Sequence, residues 1–255
     1  MTYQIVVIDT GIFNVAIFLH TAHLKYLLII IPHLDIERFS EDVNTLSSKM
    51  AAGESDEIIR RLDFVKYRLI ELYKRNLVKI NHSTMELVCA RHLIHYGYTV
   101  DVEKQLTDIL VCDLFATKGD GETIVEIETG FIPPEHALDP LSYYSARIAS
   151  KISRYSKFAN QFILATPPVS ILSIPKVFGR PPRYRKQDEV ERVKLLCDRY
   201  YRNPPVTLNE IQAARLHMIY IINIDDGKIT EMDIESYFEA IGGMMSLSNS
   251  QLAKL

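Results

Sequence analysis

The spacing of apolar residues divides the chain into segments that predict different elements. Gln4-Ile5-Val6-Val7-Ile8 is a short apolar run ending at Asp9-Thr10-Gly11, and it reads as a buried strand leaving through a turn. Tyr26-Leu27-Leu28-Ile29-Ile30-Ile31, stopped by Pro32, reads as a second. Residues 48–56 are small and polar, a linker or the lead-in to a helix capped at Ser55. Ile59, Leu62, Val65, Leu69, Leu72 and Leu77 then recur at helical spacing and predict an amphipathic helix over 57–79, interrupted near Asn76. Ser83 with Glu86 three residues later has the form of a capping box, opening a helix that ends at Gly97. Three strands follow, over 98–103, 109–116 and 123–128, with Lys118-Gly119-Asp120-Gly121 as the hairpin turn between the last two. Beyond them the pattern predicts a helix over 140–159, a strand over 162–165 and a helix over 188–201. A strand over 217–224, a turn at Asp225-Asp226-Gly227, a short helix over 231–240 and a loose tail complete the chain. Strands joined partly by a hairpin and partly across helices make an α/β fold, a mixed central sheet flanked by helices. The expected division is an N-terminal region (1–80) of unassigned role, a core (81–225) and a C-terminal helix and tail (226–255).

Composition narrows the function more than the fold. The 255 residues are 47% hydrophobic and 24% charged, as in an ordinary folded protein. The formal charge of -3 excludes a chain that coats nucleic acid through its overall charge, so any polyanion contact must be local. Cys89, Cys112 and Cys197 are odd in number and widely spaced, which argues against a disulfide framework and points to a reducing, cytoplasmic setting. Residues 12–32 are apolar but broken by Asn14, His20, His23 and Lys25, and do not make a membrane span. Asp9-Thr10-Gly11 has no second copy, so one chain cannot form an aspartic-protease dyad. His92 and His95 lack further ligands at zinc-site spacing, although Cys89 lies three residues before His92.

The chemistry concentrates in the hairpin. Glu126 and Glu128 share one face of a strand, and Asp113, thirteen residues before Glu126, can stand opposite one of them. Carboxylates in apolar strands are costly unless paired or bound to metal, and hard oxygen ligands favour Mg²⁺ or Mn²⁺. The next helix carries Arg147, Lys151 and Arg154 with Tyr144 and Tyr155 on one stripe, and no acid between Leu141 and Asn160. A second basic run, Arg180, Arg183, Arg185 and Lys186, lies in a loop containing Gly179, Pro181 and Pro182. Both segments suit a phosphate backbone.

The segment from Glu86 to about Ala165 resembles the core of the restriction-endonuclease-like, or PD-(D/E)XK, nucleases. That core has a helix bearing a glutamate, a three-stranded antiparallel meander, a crossover helix and a fourth strand. By resemblance, Glu86 is the helix glutamate, Asp113 the metal-binding aspartate and Glu126 the acid of the third strand. Glu128 stands where the family usually has lysine. Some relatives place a substitute lysine on the following helix with a tyrosine four residues on, and Lys151 with Tyr155 matches that variant. The resemblance implies a Mg²⁺- or Mn²⁺-dependent nuclease cleaving DNA. Asp113, Glu126 and Glu128 would hold the ion. Glu86, Lys151 and Tyr155 would complete the catalytic set, while Arg147, Arg154, Arg180, Arg183, Arg185 and Lys186 would contact nucleic acid. The departure at Glu128 leaves a catalytically inactive nucleic-acid-binding protein on the same fold as the alternative. The residues do not separate DNA from RNA, and a homodimer is compatible with them.

Overall fold

The structure, a computed structural model, describes residues 6–9, 14–17, 24–78 and 80–242, with side chains from Asp35 to Val78 and from His82 to residue 242. A small antiparallel pair is formed by β1 (Val6–Asp9) and β2 (Asn14–Ile17). Three helices follow: α1 (Leu24–Ala51), α2 (Asp56–Lys74) and α3 (Ile80–His95). The main sheet has six strands in the order β3 (Thr99–Gln105), β4 (Val111–Lys118), β5 (Gly121–Ile127), β6 (Gln161–Thr166), β7 (Met218–Asn223) and β8 (Lys228–Met232). The β3-β4-β5 meander is antiparallel, β5-β6-β7 is parallel, and β8 returns antiparallel to β7. Parallel neighbours need crossovers. Here α4 (Pro140–Tyr155) links β5 to β6, and α5 (Gln187–Tyr200) with α6 (Leu208–Ala213) links β6 to β7.

Side chains alternate across the sheet and build two cores. Leu114, Val125, Ile127, Ile163 and Ile222 pack beneath α1, α2 and α3. Ile124, Phe162, Leu164 and Ile219 pack beneath α4, α5 and α6. The central strands are buried on both faces, hence their nearly unbroken apolar sequences. On the first face Phe39 of α1 stacks on Tyr73 of α2, with ring centroids 3.8 Å apart, tying the N-terminal helices to that layer.

The local signals explain most boundaries. The Ser55 hydroxyl accepts from the Ile58 N–H at the start of α2, and Asn76 ends that helix at φ +56, leaving Leu77 exposed. Gly97 (φ +83) closes α3, with the Gly97 N–H bonded to Ile94 O and the Tyr98 N–H to Leu93 O. Gly119 (φ +58) makes the two-residue turn that sets Lys118 opposite Gly121.

Three expectations are corrected. Residues 26–31 belong to helix α1 rather than a strand, because a six-residue apolar run has no periodicity to separate the two. Ser83 and Glu86 form no capping box: α3 begins at Ile80, so both side chains are buried within the helix. Residues 228–232 extend the sheet as β8, satisfying the open edge of β7, and helix resumes only over 234–242 behind Asp233. The Thr10-Gly11 part of the Asp-Thr-Gly turn and the tail beyond 242 lie outside the described residues. Among the described residues no helix is long and apolar enough to cross a membrane.

Candidate metal centre

The site forms where β4 and β5 part. Their ladder's last pair at this end is Leu114 with Val125, and the next step sets Asp113 beside Glu126. Here side chains replace strand-to-strand backbone bonds. The Asp113 N–H donates to Glu126 Oε1 at 3.2 Å, and the Ile127 N–H donates to Asp113 Oδ2 at 2.5 Å. Across β4 the partner strand is also distorted. Glu103 has φ +49, a left-handed conformation rare for a non-glycine residue in a strand, between the regular pairs Val102–Leu114 and Lys104–Cys112.

Asp113 joins two clusters. From the α3 side, His82 Nδ1 lies 3.8 Å from Glu86 Oε1 and 3.9 Å from Asp113 Oδ1. Ligand atoms of these three residues all fall within 4.8 Å of one another. Glu86 is fully buried, with the Glu103 side chain as a hydrogen-bonding neighbour and no Lys or Arg against its carboxylate among the described residues. Burial, then the charge of Asp113, pushes its carboxyl well above the usual range. Glu103 is pushed up to about 8 by burial and by the charges of Glu86 and Asp113.

From the α4 side, Lys151 Nζ lies 2.7 Å from Glu128 Oε1, 2.9 Å from Glu126 Oε2 and 3.9 Å from Asp113 Oδ2. Arg147 holds the other side of Glu128, at 3.1 Å from Oε2, and donates to Phe131 O. Burial draws the Lys151 ammonium down, but Glu126, Glu128 and Asp113 outweigh it and hold the group well above its ordinary range. Glu126 is raised by burial and by Asp113, against the pull of Lys151. The Tyr155 hydroxyl donates to Val111 O at 3.1 Å, bracing the start of β4.

The structure thus brings together Glu86, Asp113, Glu126, Glu128, Lys151, Tyr155 and Arg147. The grouping differs from an ion set between Asp113, Glu126 and Glu128. Among the described residues the atoms that converge as ligands come from His82, Glu86 and Asp113, and Lys151 fills the space between the two glutamates. Arg154 is on α4 but turns to Pro204 O and the Tyr201 ring. The loop with Arg180, Arg183, Arg185 and Lys186 lies apart, beside His217. Arg185 does not reach solvent as a phosphate contact would: it is buried, and carbonyls of Val177, Arg180, Ile211 and Gln212 take its Nε and Nη1 donors. His92 and His95 pair with Glu231 and Glu54, and all three cysteines are buried and unpaired.

Two residues of the site escape a linear reading. His82 lies one turn before Glu86, and becomes its neighbour only once the helix is known to begin at Ile80 rather than Ser83. Glu103 is located only by the β3–β4 register. The chemistry defined by the fold and the cluster is that of a mixed α/β protein able to coordinate a divalent cation. Comparisons of the chain with protein families, with curated proteins and with solved structures find no match.

Proposed function

We propose that this protein is a metal-dependent nuclease that hydrolyses DNA phosphodiester bonds with Mg²⁺ or Mn²⁺. The observation that carries the reading is Glu86: a fully buried carboxylate with no Lys or Arg partner among the described residues, facing Asp113 and His82. An unpaired buried carboxylate is expensive, and a cation shared with Asp113 removes the cost. Two carboxylates and an imidazole fit Mn²⁺ and accept Mg²⁺ completed by water. Such an ion supplies Lewis-acid neutralisation of phosphate charge.

The chain's own groups do the rest. Lys151 presents a fixed positive charge between Asp113 and Glu126, where it can face the negative charge developing on a phosphate. It stands in for the strand lysine replaced by Glu128. Glu126 and Glu128 fix the ammonium in place, and Arg147 shares the charge of Glu128 so that Lys151 is not wholly consumed by it. Tyr155 steadies the strand carrying Asp113.

Asp113→Asn tests this. The variant keeps its shape but loses the charge at the junction of the two clusters. Mg²⁺- or Mn²⁺-dependent cleavage of DNA should fall roughly 10²-fold or more, with DNA affinity retained or increased. Wild-type protein that cleaves no linear, circular or branched DNA, and no RNA, with either ion would leave a nucleic-acid-binding module without cleavage.

A further inference from the structure

The second basic segment builds a site of its own. Behind the loop lies a cavity of about 540 Å³ lined by Arg180, Arg183, Arg185, Arg215 and His217, and no Asp or Glu lines it. Its place in the fold is set by His217, which exchanges two hydrogen bonds with the backbone of Phe162: His217 N–H to Phe162 O at 2.9 Å, and Phe162 N–H to His217 Nδ1 at 3.0 Å. Phe162 is paired with Ile124, four residues before Glu128 on the neighbouring strand. At about 3.3 Å per residue that is roughly 7 Å along the sheet from Glu126 and roughly 13 Å from Glu128.

The charges here are mostly uncompensated. Arg180 pairs with Glu189 at 2.6 Å. Arg183 lies over the Tyr184 ring, and neither it nor Arg215 has a carboxylate partner among the described residues. Arg185 is buried against Phe178 with four carbonyls on Nε and Nη1, while Nη2 has no described acceptor. Desolvation without a compensating anion lowers its pKa to about 10. His217 Nδ1 is an acceptor, so the neutral ring carries its proton on Nε2 and offers one more donor. Pro181, Pro182 and Ile234 supply apolar walls. A cavity of this size, with several arginine forks at one side and apolar surface at the other, matches a phosphate carried on an organic group.

We propose that this cavity is a phosphate-binding site, distinct from the carboxylate centre, that takes the phosphate of a nucleotide, either free or at the end of a nucleic-acid strand. The site does not depend on the nuclease reading, because none of its residues belongs to the carboxylate cluster. Arg183 and Arg215 supply the free guanidinium donors, while Arg185, whose Nε and Nη1 are held by carbonyls, adds positive charge to the wall and offers only Nη2.

The test is calorimetric titration without divalent metal, using pyrophosphate, adenosine monophosphate and a 5′-phosphorylated oligonucleotide as probes. At least one should bind. Arg183→Ala combined with Arg215→Ala should weaken it about 10-fold or more, since both side chains are exposed and two charge-assisted contacts are lost. Each single variant should show an intermediate loss, and Asp113→Asn should bind as wild type. Tighter binding of the monophosphate identifies a free nucleotide; binding of the oligonucleotide alone identifies a strand end. No binding of any probe up to about 10 mM would overturn the proposal. So would equal binding by wild type and the folded double variant, or loss of binding in Asp113→Asn.

Discussion

Lys151 balances more negative charge than any other side chain in the molecule's central cluster. It lies within 4 Å of Asp113, Glu126 and Glu128, and among the described residues Arg147 shares the task at Glu128. Breaking a buried ion pair by removing one partner costs more than the pair contributes, because the remaining charge is stranded. Lys151→Met should therefore reduce cleavage roughly 10²-fold or more and also lower stability by about 3 kcal/mol. Urea unfolding measures the second effect. Adding Glu128→Gln should restore part of the stability but none of the cleavage. Full recovery of both would assign Lys151 a purely structural role. His82 and Glu103 belong to the same scale. Neither carries a residue-level signal stronger than dozens of other polar positions, and both acquire meaning only from Asp113, which each approaches from a different element.

At the scale of elements, similar sequence patterns have opposite fates. Ser83 with Glu86 and Thr207 with Glu210 have the same hydroxyl-to-glutamate spacing. At Thr207 the box forms: its hydroxyl accepts from the Glu210 N–H at 3.1 Å, and Glu210 Oε2 accepts from the Thr207 N–H at 3.0 Å. At Ser83 the helix has already run for most of a turn, and the buried hydroxyl bonds no described atom. Thr207→Ala should cost about 1 kcal/mol, whereas Ser83→Ala should be neutral or slightly stabilising, since a buried hydroxyl without a partner is removed. Thermal unfolding of the two variants compares them directly. A large loss at Ser83 would mean that its hydroxyl has a partner in solution. The strands make the complementary case. The Gly119 turn sets the β4–β5 register, and that register brings Asp113 and Glu126 together, so this half of the site was legible from spacing.

For the whole molecule, the central prediction is linkage between cation binding and stability. The carboxylates of Glu86, Asp113, Glu103, Glu126 and Glu128 are gathered at one end of the sheet against the cations of Lys151 and Arg147. Mn²⁺ at about 100 times its dissociation constant should stabilise the fold by about 2.7 kcal/mol, raising the melting temperature by about 5 °C. Asp113→Asn should abolish that rise. An equal rise in the variant would place the ion elsewhere. The sequence by itself determined the hairpin, the shared face of Glu126 and Glu128, and the order of elements from α3 through β7 apart from the short helix α6, because helical and strand periodicity and glycine turns are local properties. Only the tertiary structure decided which side chains meet. It showed 26–31 as helix and 228–232 as strand, since an apolar or alternating run of five or six residues takes its conformation from what packs beside it. It turned Arg185 inward onto carbonyls and set its loop beside His217. It brought His82, Glu86 and Asp113 within 4.8 Å, because a helix crossing a strand sets distances between residues about thirty positions apart, beyond the reach of any local pattern.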